Sequence, residues 1–472
     1  MRDIVLSGQW IFLIYFVGIN MGYLLQNVIA AYGIRKYLQT ADQYEAENVF
    51  STLDIPISIV VPAYNESASI ITSVKAMLQL EYPQYELIVV NDGSSDDTLD
   101  KLINEFGMQR FPEAYRARVS CKAVRGTYRS TRISNLRVVD KKNGGSKADA
   151  SNAGINLCRY PLVCVVDADS ILQPDSLRRV VRPFLEDPTT VAVGGTVRIA
   201  NGCTVRQGFL EKVGLPRNYF ALVQVVEYLR AFLFGRMGWS PMNALLIISG
   251  AFGLFHKETL VEAGGYNPKA IGEDMELILR LHRLMKAKHK PYRITFVPDP
   301  VCWTDAPESL RDLKSQRVRW QHGLGQSFAL NRELITNPRG GAVTWFAIPF
   351  YMIFELFGPI IEVAGFIFIL VSAVMGWLSF PEAAIFLALA IGLGILLSTS
   401  AIMLEELSFH MYPRFKQLAL LYSVAILENF GFRQLTAIWR FQGLVRWLRG
   451  TEHKWETLTR STSLAEKPSP PG

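Results

Sequence analysis

The charged residues of this chain are distributed unevenly along it, and this distribution constrains the fold most strongly. Residues 4–34 contain no charged residue and residues 340–413 contain no lysine or arginine, although 19% of the 472 residues are charged. An uncharged helix of about 20 residues is long enough to cross a bilayer. The sequence therefore predicts membrane segments on both sides of a central region, residues 35–339, that has the composition of a soluble protein.

The N-terminal flank is expected to be a retained transmembrane helix at residues 1–34. Its apolar stretch runs from Trp10 to Ala31 and is long for a cleaved signal peptide. It also lacks a small-residue cleavage site before Arg35. We therefore expect an anchor.

The C-terminal flank is expected to begin with a transmembrane hairpin at residues 341–406. Its first helix is interrupted by Pro349 and Pro359 and is expected to be long, kinked or partly interfacial. Residues 407–450 allow two interpretations. They form either a third transmembrane helix or an interfacial helix whose arginines face an anionic leaflet. Residues 451–472 are expected to form a tail.

The net charge of +7 does not require a nucleic-acid partner. Basic residues near Lys141 and Lys147 suit an anionic nucleotide, and those from Arg414 onward suit the cytoplasmic leaflet. The five cysteines form no CxxC or Cys/His cluster, which favours a reducing compartment without a disulfide framework or structural zinc.

Three short apolar runs in the central region each end in polar residues. The runs are 57–61, 86–90 and 162–166, and the polar residues that follow include Asn65-Glu66, Asn91 to Thr98, and Asp167-Ala168-Asp169. Strands that alternate with helices predict a mostly parallel sheet, with ligands at the carboxyl ends of the strands. Each polar group could be only a turn or a helix cap. Together they predict one shared site.

Two of these segments suggest phosphate and metal chemistry. Asp167 and Asp169 offer hard oxygen ligands, which suit a Mg²⁺ or Mn²⁺ ion that bridges a diphosphate. Gly144-Gly145-Ser146-Lys147 combines a glycine turn with a lysine at the start of a helix, although the spacing of a Walker A loop is absent. A solvated loop is the alternative for this second segment.

Two further segments suggest a proton acceptor and a sugar surface. Asp274 follows Gly272-Glu273 in the first turn of a helix, where it is either an acid favoured by the helix dipole or a general base. A helix within 305–340 places Gln316, Arg319 and Trp320 at i, i+3 and i+4. That face can hold a sugar, or the helix can lie on the membrane surface.

Six motifs, taken together, resemble those of the family 2 membrane glycosyltransferases. The similarity is to the processive branch that contains cellulose, hyaluronan, chitin-oligosaccharide and poly-N-acetylglucosamine synthases. In chain order the motifs are 61–66, 90–96, 143–147, 167–169, 272–274 and 316–320.

The resemblance implies an α/β GT-A nucleotide-sugar-binding domain at 35–304, inserted between transmembrane helices, with an interfacial helix at 305–340. It also implies roles for the individual residues. The nucleotide pocket would be lined by Tyr64 and Glu66, Asp92 would contact uracil, and Lys147 would neutralise the diphosphate. The metal would be held by Asp167 and Asp169, with Asp167 nearer the nucleotide. Asp274 would be the base, and the acceptor or the diphosphate would be bound by Gln316, Arg319 and Trp320.

The implied function is inverting, processive transfer from UDP-N-acetylglucosamine or UDP-glucose to a growing β-linked glycan, with export. The implied location is the inner membrane, with the catalytic domain in the cytoplasm. The expected partners are the UDP-sugar donor, the glycan acceptor, membrane lipids and an accessory export subunit. One alternative is transfer of a single sugar to a lipid. Another is an inactive receptor or assembly subunit, against which the intact Asp167, Asp169 and Asp274 argue.

Overall fold

The computed structural model describes residues 2–48, 54–206, 208–376 and 380–451. Apart from residue 451, the expected tail lies outside the described residues. The strands are β1 Ile57–Ala63, β2 Tyr85–Asn91, β3 Met108–Arg110, β4 Val124–Ser130, β5 Leu136–Lys141, β6 Leu162–Val166, β7 Ile171–Leu172, β8 Thr190–Ile199, β9 Thr204–Arg206, β10 Phe209–Lys212, β11 Phe252–His256 and β12 Arg293–Thr304.

The α-helices follow the same chain order. They are α1 Arg2–Asn48, α2 Ile70–Met77, α3 Thr98–Phe106, α4 Lys147–Leu157, α5 Ser176–Glu186, α6 Tyr219–Leu229, α7 Lys257–Glu262, α8 Glu273–Ala287, α9 Leu310–Leu330, α10 Arg332–Ile335, α11 Ile348–Phe350, α12 Gly358–Val374, α13 Phe380–Ser408, α14 Phe415–Leu427 and α15 Phe432–Leu448. Three π-helical segments, Arg230–Arg236, Val343–Ala347 and Tyr351–Leu356, and a 3₁₀ turn at Ser240–Met242 complete the described elements.

One mixed sheet forms the centre of the soluble part, in the order β3-β4-β5-β2-β1-β6-β11-β8-β12-β7. Strand β1 is completely buried and pairs in parallel with β2 on one side and β6 on the other. Its run of β-branched residues is typical of a strand that is covered on both faces. The loops after β1, β2 and β6 therefore meet at one edge of the sheet.

The expectation of a mostly parallel sheet is wrong, because among the described strands five of the nine pairs in this sheet are antiparallel. Strand β11 runs antiparallel to both of its neighbours, β6 and β8. The chain leaves β8 and enters β11 at the same edge of the sheet, so no crossover restores the parallel direction. As a result, the residues before β11 lie beside the carboxyl end of β6.

Within the described residues, three helical segments are long and apolar enough to cross a membrane, namely Trp10–Thr40, Val343–Ser372 and Leu387–Ser408. Helix α1 continues to Asn48 instead of ending at residue 34, because the charged residues that follow the apolar run are compatible with a helix. The segment from residue 343 is irregular as expected, with π-helical turns on both sides of Pro349 and a new helix, α12, around Pro359.

Residues 407–450 do not form the single helix expected for them. They form α14, of 13 residues, and α15, of 17 residues, separated by a break at residues 428–431. At a rise of about 1.5 Å per residue, α14 is about 20 Å long and shorter than the hydrocarbon core. Helix α15 packs against α9 and α12.

The break follows from the environment of Glu428, which is completely buried. Its carboxylate contacts Arg230, lies 2.8 Å from Arg433 Nη2 and accepts a hydrogen bond of 2.7 Å from Ser398 Oγ. These contacts join the C-terminal helices to α13 and to the π-helical segment 230–236.

The interior of α8 contains His282, which is fully buried. Its Nε2 donates to the Leu245 carbonyl oxygen at 2.8 Å, and its Nδ1 lies 2.8 Å from the Tyr292 hydroxyl. Burial lowers the pKa of His282 to about 4. The imidazole is therefore neutral at physiological pH.

Candidate functional site

The loops after β1 and β2 hold each other in place. The Ser95 amide donates to Asn65 Oδ1 at 2.8 Å, and the Asn65 amide donates to Ser94 Oγ at 3.0 Å. Asn65 adopts a left-handed conformation, with φ of 55°, which asparagine tolerates better than most residues. These bonds fix the rim of the site on the side predicted for the nucleotide.

The two residues predicted to line the nucleotide pocket differ in accessibility. The Tyr64 side chain is 46% exposed and is available to a ligand. Glu66 is buried, and its carboxylate accepts a hydrogen bond of 3.1 Å from Ser69 Oγ just before α2. The structure thus places Tyr64 at the surface of the site and engages Glu66 in the turn that leads into α2.

Asp92, at the end of β2, forms a buried ion pair with Lys141. The Asp92 Oδ1 atom also accepts a hydrogen bond from the Gly144 amide at 3.0 Å, and Lys141 Nζ lies 2.6 Å from Asp149 Oδ2. Burial raises the pKa of the Asp92 carboxyl, and the bond to Lys141 opposes that rise. Asp92 therefore fastens the glycine loop to β2, and the predicted contact with uracil would have to use Oδ2.

Lys147, Asp167 and Asp274 meet at Gly250, in the turn that precedes β11. Lys147 Nζ forms an ion pair with Asp167 and donates a hydrogen bond of 2.6 Å to the Gly250 carbonyl oxygen. The Gly250 amide donates to Asp274 Oδ2 at 3.2 Å. Gly250 thus links the cation at the start of α4 to the carboxylate at the start of α8.

This meeting depends on the reversed strand β11. The Asp167 amide donates to the Ala251 carbonyl oxygen at 3.3 Å, which holds the turn against the end of β6. A Cβ atom added at Gly250 would lie 3.5 Å from Lys147 Nζ and 3.7 Å from Asp274 Oδ2. The glycine therefore lines the space between the two side chains, and a ligand can approach the backbone there.

At Lys147 the electrostatics of the site are those of a cation beside three acids. Burial alone would lower the pKa of Lys147, but Asp167, Glu273 and Asp274 together raise it. Lys147 is therefore firmly protonated. It provides a positive charge that a diphosphate can share.

Glu273 belongs to the site, although the sequence interpretation assigned it no role. Burial and then the charge of Asp274 raise the pKa of Glu273 to about 7, and Lys147 and Arg319 partly oppose this rise. Its place directly before Asp274 was the available signal. The neighbouring charges also show that Arg319, on α9, approaches the same carboxylates.

The three residues predicted on one face of α9 have different environments. Gln316 is buried, Arg319 is partly buried, and Trp320 is 44% exposed with the Arg317 guanidinium 4.6 Å from its ring centroid. A Cβ atom at Gly323 would lie 2.9 Å from the backbone of the residue that caps α8, so α9 packs closely against the start of α8. The structure therefore brings Arg319 to the acids and leaves Trp320 at the surface.

The carboxylates of Asp167 and Asp169 fit a metal ion whose remaining ligands come from a bound substrate and from water. No group of three or more His, Cys, Asp or Glu side chains that could hold an ion occurs in the described parts of the chain. Two carboxylates at a strand end still suit Mg²⁺ or Mn²⁺, since such ions commonly keep water and bind substrate phosphates. The contact between Lys147 and Asp167 shows that this position attracts positive charge.

Comparison with known families gives two matches. A family profile described as glycosyltransferase-like family 2 matches residues 55–323, which is more than half of the chain. A second profile, described as chitin synthase, matches residues 257–454.

Two curated relatives are poly-beta-1,6-N-acetyl-D-glucosamine synthases. The protein of Staphylococcus epidermidis is 29% identical over 267 residues, and that of Staphylococcus aureus strain COL is 30% identical over 269 residues. Each match covers 57% of this chain and 54% of the relative. The chain thus spans about half the length of the curated relatives that it matches.

A solved mannosyltransferase, PcManGT from Pyrobaculum calidifontis in complex with GDP-Man and Mn²⁺, gives a TM-score of 0.49 at 16% identity. The match covers 93% of this chain and 99% of that protein. A likeness at this level carries no conclusion about the substrate or the metal of this chain.

Proposed function

The chain belongs to the glycosyltransferase-like family 2, and from that premise we propose that it is a membrane enzyme that transfers sugar from a UDP-sugar to a growing β-linked glycan. The observation that carries the proposal is the meeting of Lys147, Asp167 and Asp274 around Gly250. It combines a cation for a diphosphate with a carboxylate for an acceptor hydroxyl. UDP-N-acetylglucosamine is the favoured donor, because the two curated relatives are named for a polymer of that sugar.

The donor diphosphate binds beside Lys147, and its nucleoside lies toward Tyr64 and Asp92. Asp167 and Asp169 would hold Mg²⁺ or Mn²⁺, which supplies further positive charge to the diphosphate when bound. Negative charge on the diphosphate increases as the sugar leaves. The Lys147 ammonium therefore contributes more in the transition state than in the ground state.

Asp274 acts as the general base. It takes the proton from the acceptor hydroxyl while that oxygen forms a bond to the anomeric carbon and the bond from that carbon to the diphosphate breaks. The hydrogen bond from the Gly250 amide to Asp274 Oδ2 orients the carboxylate. A single displacement on an α-linked nucleotide sugar gives a β-linked product.

The enzyme is held in the inner membrane, with its catalytic domain in the cytoplasm, by the three spans. The outer face of α1 supports contact with lipid. Ile14 and Val28 on this face are each 68% exposed, and exposed apolar side chains on a long helix are favoured by a lipid environment over water. Packing of α9 against α15, and of α15 against α12, supports an acceptor side of the site that lies next to the spans. Processive elongation with export between these helices, with or without an accessory subunit, fits this arrangement.

The test is to incubate the full-length protein in lipid nanodiscs with Mg²⁺ or Mn²⁺ and a panel of radiolabelled UDP-sugars. We expect UDP release with UDP-N-acetylglucosamine and a labelled β-linked polymer, identified by linkage analysis. A product that extracts into organic solvent with a single sugar would replace the polymer by a glycolipid. Absence of UDP release with every donor would contradict an enzymatic role.

A further inference from the structure

The π-helical segment Arg230–Arg236 carries an arginine at each end, and the two have opposite environments. The Arg230 guanidinium contacts Glu428 and Ser398. The Arg236 side chain is only 9% exposed, its Nε is buried without a hydrogen-bond partner, and no ion pair involves it in the described parts of the chain. Arg236 is therefore a largely buried cation whose Nε has no hydrogen-bond partner and which forms no ion pair within the described residues.

Such an environment is unfavourable for an arginine, which remains protonated in proteins. A buried charge without a partner costs several kcal/mol unless a group of suitable polarity joins it. The Phe232 ring lies 3.7 Å from the guanidinium carbon, and this cation–π contact offsets only part of that cost, about 2 kcal/mol or less. A polar group that enters the site would bind to Arg236 favourably.

The position of Arg236 indicates which part of the molecule a polar ligand would enter from. The side chain lies within electrostatic range of Asp274 and of Tyr351, in the span Val343–Ser372. Three residues further along the chain, Trp239 packs against Phe350 and Tyr351, with ring centroids 5.6 and 6.4 Å apart. Arg236 thus lies within electrostatic range of the Asp274 carboxylate, on a segment that packs against the apolar helices α1 and α13.

We propose that Arg236 binds the acceptor glycan on the membrane side of Asp274 and positions the terminal hydroxyl for attack. The inference rests on the proposed function and extends it by assigning an acceptor-binding residue. A neutral, oxygen-rich ligand matches one cation beside a carboxylate, whereas a second anion would be repelled by Asp274. The Phe232 ring beside the guanidinium also suits the flat face of a pyranose unit.

The test compares Arg236→Met with the wild-type enzyme in nanodiscs. The varied substrate is a soluble β-linked N-acetylglucosamine oligomer, at saturating UDP-N-acetylglucosamine. Loss of hydrogen bonds from a charged group should raise the acceptor KM by about 10- to 100-fold. The Kd for UDP should stay unchanged, because the inference assigns Arg236 to the acceptor and leaves the diphosphate to Lys147. Arg236→Lys, which keeps the charge and loses the planar fork, should show a smaller rise.

Thermal unfolding separates this role from a structural one. If Arg236 serves a ligand, Arg236→Met removes an unpaired buried cation and the Tm stays equal or rises. If the side chain instead supports the fold, the Tm falls, and that result overturns the inference. Arg206→Met, at an exposed arginine on β9, controls for the loss of one positive charge.

The inference and the proposed function fail in different ways. No UDP release by the wild-type enzyme with any donor would refute the proposed function. A wild-type enzyme that transfers sugar, together with an Arg236→Met variant whose acceptor KM is unchanged, would refute the inference alone.

Discussion

Replacement of Lys147 by methionine removes the cation on which the proposed donor site depends. In the structure Nζ contacts Asp167 and the Gly250 carbonyl oxygen, and the side chain is 20% exposed. A hydrogen bond to a charged group contributes about 1.5–3 kcal/mol, which corresponds to about 10- to 150-fold in a dissociation constant. Because a diphosphate must share Lys147 with Asp167, we expect the lower part of this range, a loss of about 10- to 30-fold in affinity for UDP.

The same substitution should have the opposite effect on metal binding. Without the ammonium, the Asp167 carboxylate loses its positive neighbour, and Asp169 lies two residues away. The affinity for Mn²⁺ in the absence of nucleotide should therefore rise. A variant that loses UDP affinity and gains metal affinity cannot be explained by general unfolding.

Isothermal titration measures both effects without turnover. UDP is titrated in the presence of EDTA, which isolates the lysine from the metal, and Mn²⁺ is titrated without nucleotide. Lys288→Met is the matched control, since that lysine pairs with Glu262 just beyond the far end of α8, about 20 Å from Asp274 by helix rise. If Lys147→Met and Lys288→Met bound UDP equally well, the assignment of Lys147 to the diphosphate would be refuted.

Further predictions concern pH and the glycine loop. The pKa of His282 is about 4 in the folded protein against 6.5 in the unfolded chain, so the stability of the fold decreases as pH drops from 6.5 to 4. The Tm of His282→Gln should therefore decrease less over this pH range than the Tm of the wild type; an equal decrease in both proteins would contradict the burial argument. The pKa of Glu273 is raised from 4.5 to about 7. The ionised carboxylate of Glu273 is therefore less favourable in the folded protein than in the unfolded chain, and it destabilises the fold increasingly as pH rises across that range. Glu273→Gln should raise the Tm above pH 7, by at most about 3 kcal/mol in stability, and leave it unchanged below pH 4.5; equal effects at both would contradict this. Gly144→Ala places a Cβ atom 2.2 Å from Asp149 Oδ2 and should abolish UDP binding. The Cβ atom of Gly145→Ala meets no atom within 4 Å, so this variant should lose only about 1–2 kcal/mol of stability through its left-handed backbone. Similar UDP affinity in the two variants would contradict the loop geometry.

Part of this fold follows from local sequence. The runs of β-branched residues predict β1, β2 and β6 to within two residues at each end, because a strand buried on both faces contains few polar residues. Since parallel strands end at the same edge, the polar residues after them predict one site. The direction of β11 could not be predicted in this way, because it depends on which edge of the sheet the chain occupies after residue 200.

Long-range ion pairs are the other part that local sequence does not reveal. Lys141 was expected to serve a nucleotide, yet it is completely buried between Asp92 and Asp149. Glu428 lies in the segment that was interpreted as a third transmembrane or an interfacial helix, but its partner Arg230 lies 198 residues away. Arg236 stands in an apolar segment with no recognisable motif, and only its burial without an ion-pair partner among the described residues identifies it.

The central claim is that Asp274 removes a proton from the acceptor while the neighbouring groups hold the donor. The most direct test is the rate of sugar transfer by Asp274→Asn in a single turnover with bound UDP-sugar, alongside its Kd for UDP. We predict an unchanged Kd and a transfer rate lower by at least about 100-fold, the typical contribution of a general base. Transfer at the wild-type rate would remove Asp274 as the base and contradict the proposed mechanism.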